Sequence, residues 1–236
     1  MDLHEFKVQN IKTTLGILDE QFPRILTFID FANVDHWFDD DQYDLDGKAL
    51  PAEQRIAIDL QKLKEFLDCF SADARFYYGH DPVNSGSLAF IGAAKHIFGK
   101  HRVFTKRIQL VRHDLMPADS VSNTRLVHSD DQGNYVLIPK CNFDVEISVD
   151  AVRLVNKYDT ICLLSSDADF AALMRYLKRL GKKVILIKGG RIDASLGKLL
   201  DLKINASQIK SYVAQIKQKP GIKPGSADSS PESSGR

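Results

Sequence analysis

Two apolar runs in this sequence stop at carboxylates. Ile25 to Ile29 is followed by Asp30, with Asn33 three residues on, and Ile161 to Ser166 is followed by Asp167 and Asp169. In an open parallel sheet, ligands bind outside the carboxyl ends of the strands, so an acid directly after a buried strand points into the functional crevice. One of Asp167 and Asp169 could instead cap a helix starting near Phe170, which aspartate does readily, but capping needs only one of them. A third source of acids is the segment Lys140 to Ala151, reading KCNFDVEISVDA. Its Asp144 and Asp150 are six residues apart, about 240° around a regular helix, so both face one ion only if Asp144 precedes the helix. Which of the two joins the other acids stays open. Taken alone, each reads better as a solvated helix residue or an N-cap.

Several carboxylates with an amide carbonyl make a hard, oxygen-only donor set, which suits Mg²⁺ or Mn²⁺. Such an ion polarises a phosphoryl oxygen, lowers the pKa of a bound water and stabilises a leaving oxygen. Without the ion, the carboxylates would repel phosphate. The expected chemistry is therefore metal-dependent phosphodiester hydrolysis. Asp30, Asp144, Asp150, Asp167 and Asp169 are the catalytic candidates, and Asp30, Asp167 and Asp169 with one helix acid, Asp144 or else Asp150, are the candidate metal ligands.

The elements that would position them alternate. An N-terminal helix is expected over 3–20, a buried strand over 25–29, and an acidic loop over 35–48. Pro51 and Glu53 then open a helix carrying Ile56, Leu60, Leu63, Leu67 and Phe70. A strand over 74–79, a helix over 86–98 closed by Gly99 and a strand over 102–111 follow. Thr124 to Val127 and Tyr135 to Ile138 flank SDDQGN, a hairpin signal. The remainder reads as a helix over 144–156, a strand over 160–165, a helix over 170–180 closed by Gly181, and a strand over 183–187. This pattern predicts a three-layer α/β/α fold with a mostly parallel sheet, an inserted hairpin and an N-terminal helix. Three parts are expected: a helical extension over 1–22, one domain over 23–216, and a disordered tail over 217–236, whose composition lacks apolar residues to offset ordering entropy.

With 236 residues, 44% apolar, the chain can bury one sizeable core. A net charge of +1 and a pI near 7.7 exclude bulk coating of nucleic acid, so any polyanion site must be local. Two acid-free stretches offer one. The first, between Asp81 and Asp114, carries Lys95, Lys100, Arg102, Lys106, Arg107 and Arg112. The second, Phe170 to Ile192, carries Arg175, Lys178, Arg179, Lys182, Lys183, Lys188 and Arg191, and reads equally as a solvated helix face. The first is the stronger candidate for a phosphate backbone, giving affinity without base reading. The three cysteines, Cys69, Cys141 and Cys162, have no CxxC spacing, so neither a disulfide framework nor a zinc site is expected. No signal peptide or membrane span is legible, and the expected location is cytoplasmic.

The segments IDFANV at 29–34, KCNFDVEISVDA at 140–151 and LLSSDADFAALMRYLKRLGKKV at 163–184, with Ser195, Leu199 and Asp201 beyond them, are similar in order and type to the NYN branch of the PIN-like nucleases, the LabA-like group in particular. The resemblance covers about residues 24–202. It implies a PIN-like fold, a divalent metal on Asp30, Asp144 or Asp150, Asp167 and Asp169, Asn33 and Lys140 at the rim, and RNA hydrolysis leaving a 5′-phosphate. Three departures stand out. Phe31 replaces a small glycine and could narrow the entrance, Ser166 replaces a glycine, and Lys140 lies one residue further from Asp144 than usual.

Other signals point nowhere. Gln42 to Glu53 resembles an EF-hand loop, but Gln42 occupies its first position and Pro51 interrupts it. The seven histidines show no zinc spacing, Ser165 and Ser166 no nucleophile elbow, and no P-loop exists. Rival readings are a catalytically idle RNA-binding or adaptor module, with Phe31 crowding the pocket, and a structure-specific DNA nuclease. A phosphatase or receiver-type phosphoacceptor using Asp30 is disfavoured, because the DxD pair follows a late strand. RNA is the expected partner, with a homodimer or protein partner also open.

Overall fold

The computed structural model describes residues 2–115, 126–190 and 194–219. Its centre is a six-stranded, wholly parallel sheet. The strands, numbered along the chain, are β1 (Ile25–Asp30), β3 (Ser71–His80), β4 (Val103–Arg107), β8 (Thr160–Leu164), β9 (Lys183–Lys188) and β10 (Leu202–Asn205), in the spatial order β10-β9-β8-β1-β3-β4. All residues of β1 and β8 are buried, as expected of central strands covered on both faces. From β1 the chain builds outward to β3 and β4, then returns to add β8, β9 and β10 on the other side. The order thus reverses between β1 and β8, the place where open parallel sheets leave a crevice at their carboxyl ends.

Side-chain alternation divides the core into two layers. On one face Ile25, Ile29, Phe76 and Ile185 meet α3 (Leu60–Asp68), α4 (Ser85–Phe98), α8 (Ala206–Val213) and the end of α1 (Leu3–Leu15). On the other, Leu26, Phe28, Tyr77 and Leu163 meet α5 (Asp144–Arg153) and α6 (Ala171–Arg179). A short helix, α2 (Phe31–Val34), follows β1 directly, and α7 spans Ala194–Gly197. The three-layer α/β/α expectation holds.

Several boundaries differ. The N-terminal helix ends at Leu15 because Gly16 takes the left-handed conformation (φ 72°) that closes helices. The helix expected from Pro51 is instead a strand, β2 (Gln54–Ile58), with α3 starting only after Asp59, whose side chain caps the amides of Gln61 and Lys62. The buried β-branched pair Ile56 and Ile58 packs at period two, against the antiparallel strand β11 (Ala214–Gln218). That ladder also takes in Lys217 and Gln218, which the tail expectation included; residues 220–236 lie outside the described residues. The strand expected over 102–111 splits at Ile108. Its second half, β5 (Gln109–Asp114), joins the hairpin strands β6 (Val127–Asp130) and β7 (Gly133–Lys140) in a separate antiparallel sheet, ordered β5-β7-β6. Residues 124 and 125, part of the expected hairpin, lie outside the described residues.

Candidate metal centre

Asp30 is the last residue of β1 and only 5% exposed. Its Oδ2 accepts hydrogen bonds from Ser165 Oγ at 3.0 Å and from Asn33 Nδ2. Ser165 Oγ also accepts the amide of Asp167 at 3.1 Å, so one hydroxyl joins the end of β1 to the loop after β8. Asp167 Oδ1 in turn accepts the amide of Asp169 at 2.9 Å, capping the turn of 3₁₀ helix Ala168–Phe170. Capping therefore occupies one oxygen of one acid. Both acids converge with Asp144: one carboxylate oxygen from each of Asp144, Asp167 and Asp169 lies within 4.8 Å of the others.

Asp144 opens α5, and Asn142 orients it from both sides. Asn142 Nδ2 donates to Asp144 Oδ2 at 2.6 Å, and Asn142 Oδ1 accepts the Asp144 amide at 2.7 Å. Asp150 does not join the cluster, which corrects its place among the catalytic candidates. Six residues along the helix it faces the other way, accepting from Tyr77 Oη at 2.7 Å and from Arg75 at 3.0 Å.

Burial and mutual repulsion both disfavour the charged forms of Asp30 and Asp144. Burial pushes the Asp30 carboxyl above the usual carboxylate range, partly opposed by Asn33 and Ser165, and Asp144 and Asp167 push it further. Burial likewise raises Asp144, with added repulsion from Asp167 and Asp169. A divalent cation would attract both carboxylates and oppose these effects, and an all-oxygen donor set is the kind that hard cations select. The residues present thus fit such an ion.

The NYN domain family model matches residues 24–196. This chain belongs to the NYN domain family. That family falls within a superfamily of nucleases, and the acid cluster is compatible with such chemistry. Low amplitude and bright protein LabA of Synechococcus elongatus is 27% identical over 92 residues, which are 39% of this chain and 49% of LabA. The chain thus matches about half the length of that relative. A crystal structure of a Vibrio parahaemolyticus protein of unknown function superposes with a TM-score of 0.50 at 15% identity, covering 83% of this chain and 99% of that one. At that identity the likeness concerns the fold alone.

Within this NYN domain the expected rim residues scatter. Asn33 bonds Asp30 directly. Lys140 is exposed at the end of β7, next to Cys141, whose side chain packs against Gly79 near the carboxyl end of β3. Lys106 and Arg107 end β4 and so stand at the carboxyl edge with the acids. Lys95, Lys100 and Arg102 do not: α4 runs back down the sheet, and Arg102 pairs with Asp73 at the start of β3. They lie at the opposite end of the sheet from the acids. Arg112 is held by Asp114 and Asp130 in the antiparallel sheet.

In the second basic stretch, Lys178 and Lys183 pair with Asp201, and Lys182 donates to the Tyr158 carbonyl at 2.6 Å. These ties belong to the amino end of β9. Lys188, at its carboxyl end, donates to the Ser166 carbonyl at 3.2 Å beside Asp167. Phe31 does not narrow the entrance. It is buried in the opposite layer, its ring centroid 4.8 Å from Phe76 and 5.0 Å from Phe90. The EF-hand-like loop spends Asp44 Oδ1 on its own backbone, accepting amides of Asp46 and Lys48.

Two contributors have no role in the sequence-based expectations, Ser165 and Asn142, while Lys188 belongs to the second basic stretch. Each acts through a hydrogen bond to a neighbouring backbone or acid. The only signal for Ser165 was a hydroxyl two residues ahead of a strand-end aspartate.

No helix among the described residues is long and apolar enough to cross a membrane.

Proposed function

We propose that this NYN domain is a metal-dependent endoribonuclease. The observation that carries the reading is the convergence of Asp144, Asp167 and Asp169 over the buried Asp30, at the switch point between β1 and β8. Asp144, Asp167 and Asp169 would hold Mg²⁺ or Mn²⁺, with Asp30 behind them. A cation in such a place supplies Lewis-acid polarisation of a phosphoryl oxygen and a lowered pKa for its water.

The protein's own groups do the rest. Ser165 and Asn33 fix the Asp30 carboxylate behind the ligands, and Asn142 fixes Asp144, so these acids are oriented before any ion arrives. Lys106, Arg107, Lys140 and Lys188 provide positive charge at the same end of the sheet, where a phosphate backbone would otherwise meet only acids. The idle-adaptor alternative loses its physical cause, since Phe31 lies in the opposite layer. Labelled single-stranded RNA and matching DNA, incubated with Mg²⁺ or Mn²⁺, test the substrate. RNA products with 5′-phosphate ends are expected; cleavage of DNA alone overturns the ribonuclease reading.

A further inference from the structure

Gly79 is the next-to-last residue of β3 and is buried, and its φ lies outside the left-handed region that favours glycine. A glycine inside a strand whose backbone does not call for one marks a close approach of another segment. Here that segment is Cys141. A methyl group on Gly79 would stand 2.6 Å from both Cβ and Sγ of Cys141, well inside van der Waals contact. Turning the cysteine side chain takes Sγ out of the way but leaves Cβ, which moves only with its backbone.

Strand register places this contact beside the acids. Asp30 pairs with Tyr77, so Gly79 stands two residues beyond the row of Asp30, at the carboxyl edge of the sheet. On β4 it pairs with Lys106, whose ammonium lies 4.7 Å from the Phe143 ring centroid and 2.7 Å from Glu146 Oε1. Residues 141–143 are the connector from β7 to α5, and Asp144 is the first residue of that helix.

The connector transmits a push. β3 is hydrogen-bonded to β1 on one side and to β4 on the other, so the sheet does not yield. Residues 141–143 belong to no strand or helix, and Asn142 locks them to Asp144 by accepting its amide and donating to its carboxylate. The far end of α5 is anchored, because Asp150 accepts from Tyr77 Oη at 2.7 Å and from Arg75 at 3.0 Å. A displacement at Cys141 therefore pivots the helix and appears at Asp144, relative to Asp167 and Asp169 beyond β8. Opening the contact from 2.6 Å to an ordinary carbon separation of about 3.5–4.0 Å takes roughly 1 Å. Metal sites tolerate ligand errors of only about 0.2 Å.

Resting on the metal-dependent reading above, we propose that Gly79 is a positioning residue for the metal centre. Its bare Cα lets Cys141 lie against β3, and that contact sets the distance from Asp144 to Asp167 and Asp169. Both residues act through Asp144 rather than as ligands.

The test titrates Mn²⁺ alone into the full chain and its variants by calorimetry. Gly79→Ala is expected to lower Mn²⁺ affinity about ten- to a hundredfold, the range for groups that orient ligands. Cys141→Gly removes both atoms that the new methyl would meet. Adding Gly79→Ala to it should change affinity by no more than about twofold, the usual scatter of independent substitutions. Displacement of Mn²⁺ by Mg²⁺ and by Ca²⁺ separates positioning from loss of fold: Mg²⁺, which demands near-octahedral geometry, should weaken more than Ca²⁺, which accepts a looser one. An unchanged Mn²⁺ affinity in Gly79→Ala, the same loss in the Cys141→Gly background, or equal losses for Mg²⁺ and Ca²⁺ overturns the proposal. Should Gly79→Ala not fold, Cys141→Val crowds the same contact by one methyl, and an unchanged Mn²⁺ affinity again overturns it. In the metal-free chain, the Asp144 amide resonance should shift in Gly79→Ala and return to its place in Cys141→Gly when the two are combined; an unmoved resonance also overturns the proposal. Absence of Mn²⁺ binding by the unmodified chain defeats the metal reading, while the metal-free resonance still decides whether Gly79 positions Asp144, so the two fail separately.

Discussion

Ser165 Oγ donates to Asp30 Oδ2 at 3.0 Å while accepting the Asp167 amide at 3.1 Å. A single buried hydroxyl therefore sets the distance between the acid ending β1 and the acids following β8. Ser165→Ala should lower Mn²⁺ affinity about tenfold, the usual lower bound for removing a group that orients ligands. Isothermal titration calorimetry measures it, and an unchanged affinity would show that the packing of β1 and β8 alone suffices.

Asp144 and Asp150 separate by function. Asp150→Ala removes the partner of Arg75 and Tyr77, both largely buried, and should cost about 2–3 kcal/mol, below the range for fully buried pairs because some solvent reaches these groups. Its Mn²⁺ affinity should be unchanged. Asp144→Asn should do the reverse, weakening Mn²⁺ binding while leaving the melting temperature equal or higher, since it relieves repulsion with Asp167 and Asp169. Thermal melts and titrations on the two variants check this; a loss of Mn²⁺ binding in Asp150→Ala contradicts it.

Metal affinity should depend on pH over an unusually high range for carboxylates. The folded-state pKa values of Asp30 and Asp144 are raised, so each keeps its proton at pH values where an ordinary aspartate has lost it. By linkage, the stability these groups contribute is present at low pH and lost as pH rises through their folded values. Cation binding requires the ionised form and therefore strengthens as pH rises through the same range. A titration series taken from acid to neutral pH should show affinity increasing and then levelling, with the rise displaced to higher pH than ordinary aspartates give; a rise at or below the ordinary aspartate range contradicts the raised values. Without metal, Asp30→Asn should melt higher than the unmodified chain at pH 8.

Charge reversal should act by sheet end. Lys106→Glu, at the carboxyl edge, should weaken single-stranded RNA binding about tenfold and flatten its salt dependence by roughly one unit of slope. Arg102→Glu, at the amino end beside Asp73, should leave RNA binding unchanged. Fluorescence anisotropy at several salt concentrations distinguishes them, and equal effects would mean the RNA path leaves the carboxyl end.

The strand-end acids were legible because an unbroken apolar run ending in aspartate has few other meanings. Asp144 and Asp150 were not separable, since the choice depends on where α5 begins, and Asn142 sets that through bonds no spacing rule reveals. The misreading of β2 has a similar origin: Ile56 and Ile58 fit either period until β11 is known to lie beside them, and β11 comes from the far end of the chain. The basic stretch misled for a topological reason. Lys95, Lys100 and Arg102 adjoin Lys106 in sequence, but α4 and the length of β4 carry them to the opposite edge of the sheet. The position of Phe31 after Asp30 is visible in the sequence, but the direction of its buried side chain is not.

Cleavage of labelled single-stranded RNA by the unmodified chain and by Asp167→Asn, each with Mg²⁺, Mn²⁺ or EDTA, tests the central claim most directly. Metal-dependent cleavage by the unmodified chain, abolished by EDTA and reduced at least a hundredfold in Asp167→Asn, is the predicted result, about 2.7 kcal/mol or more of lost transition-state stabilisation. Undiminished cleavage in EDTA, or an Asp167→Asn chain as active as the unmodified one, would contradict a metal held by Asp144, Asp167 and Asp169.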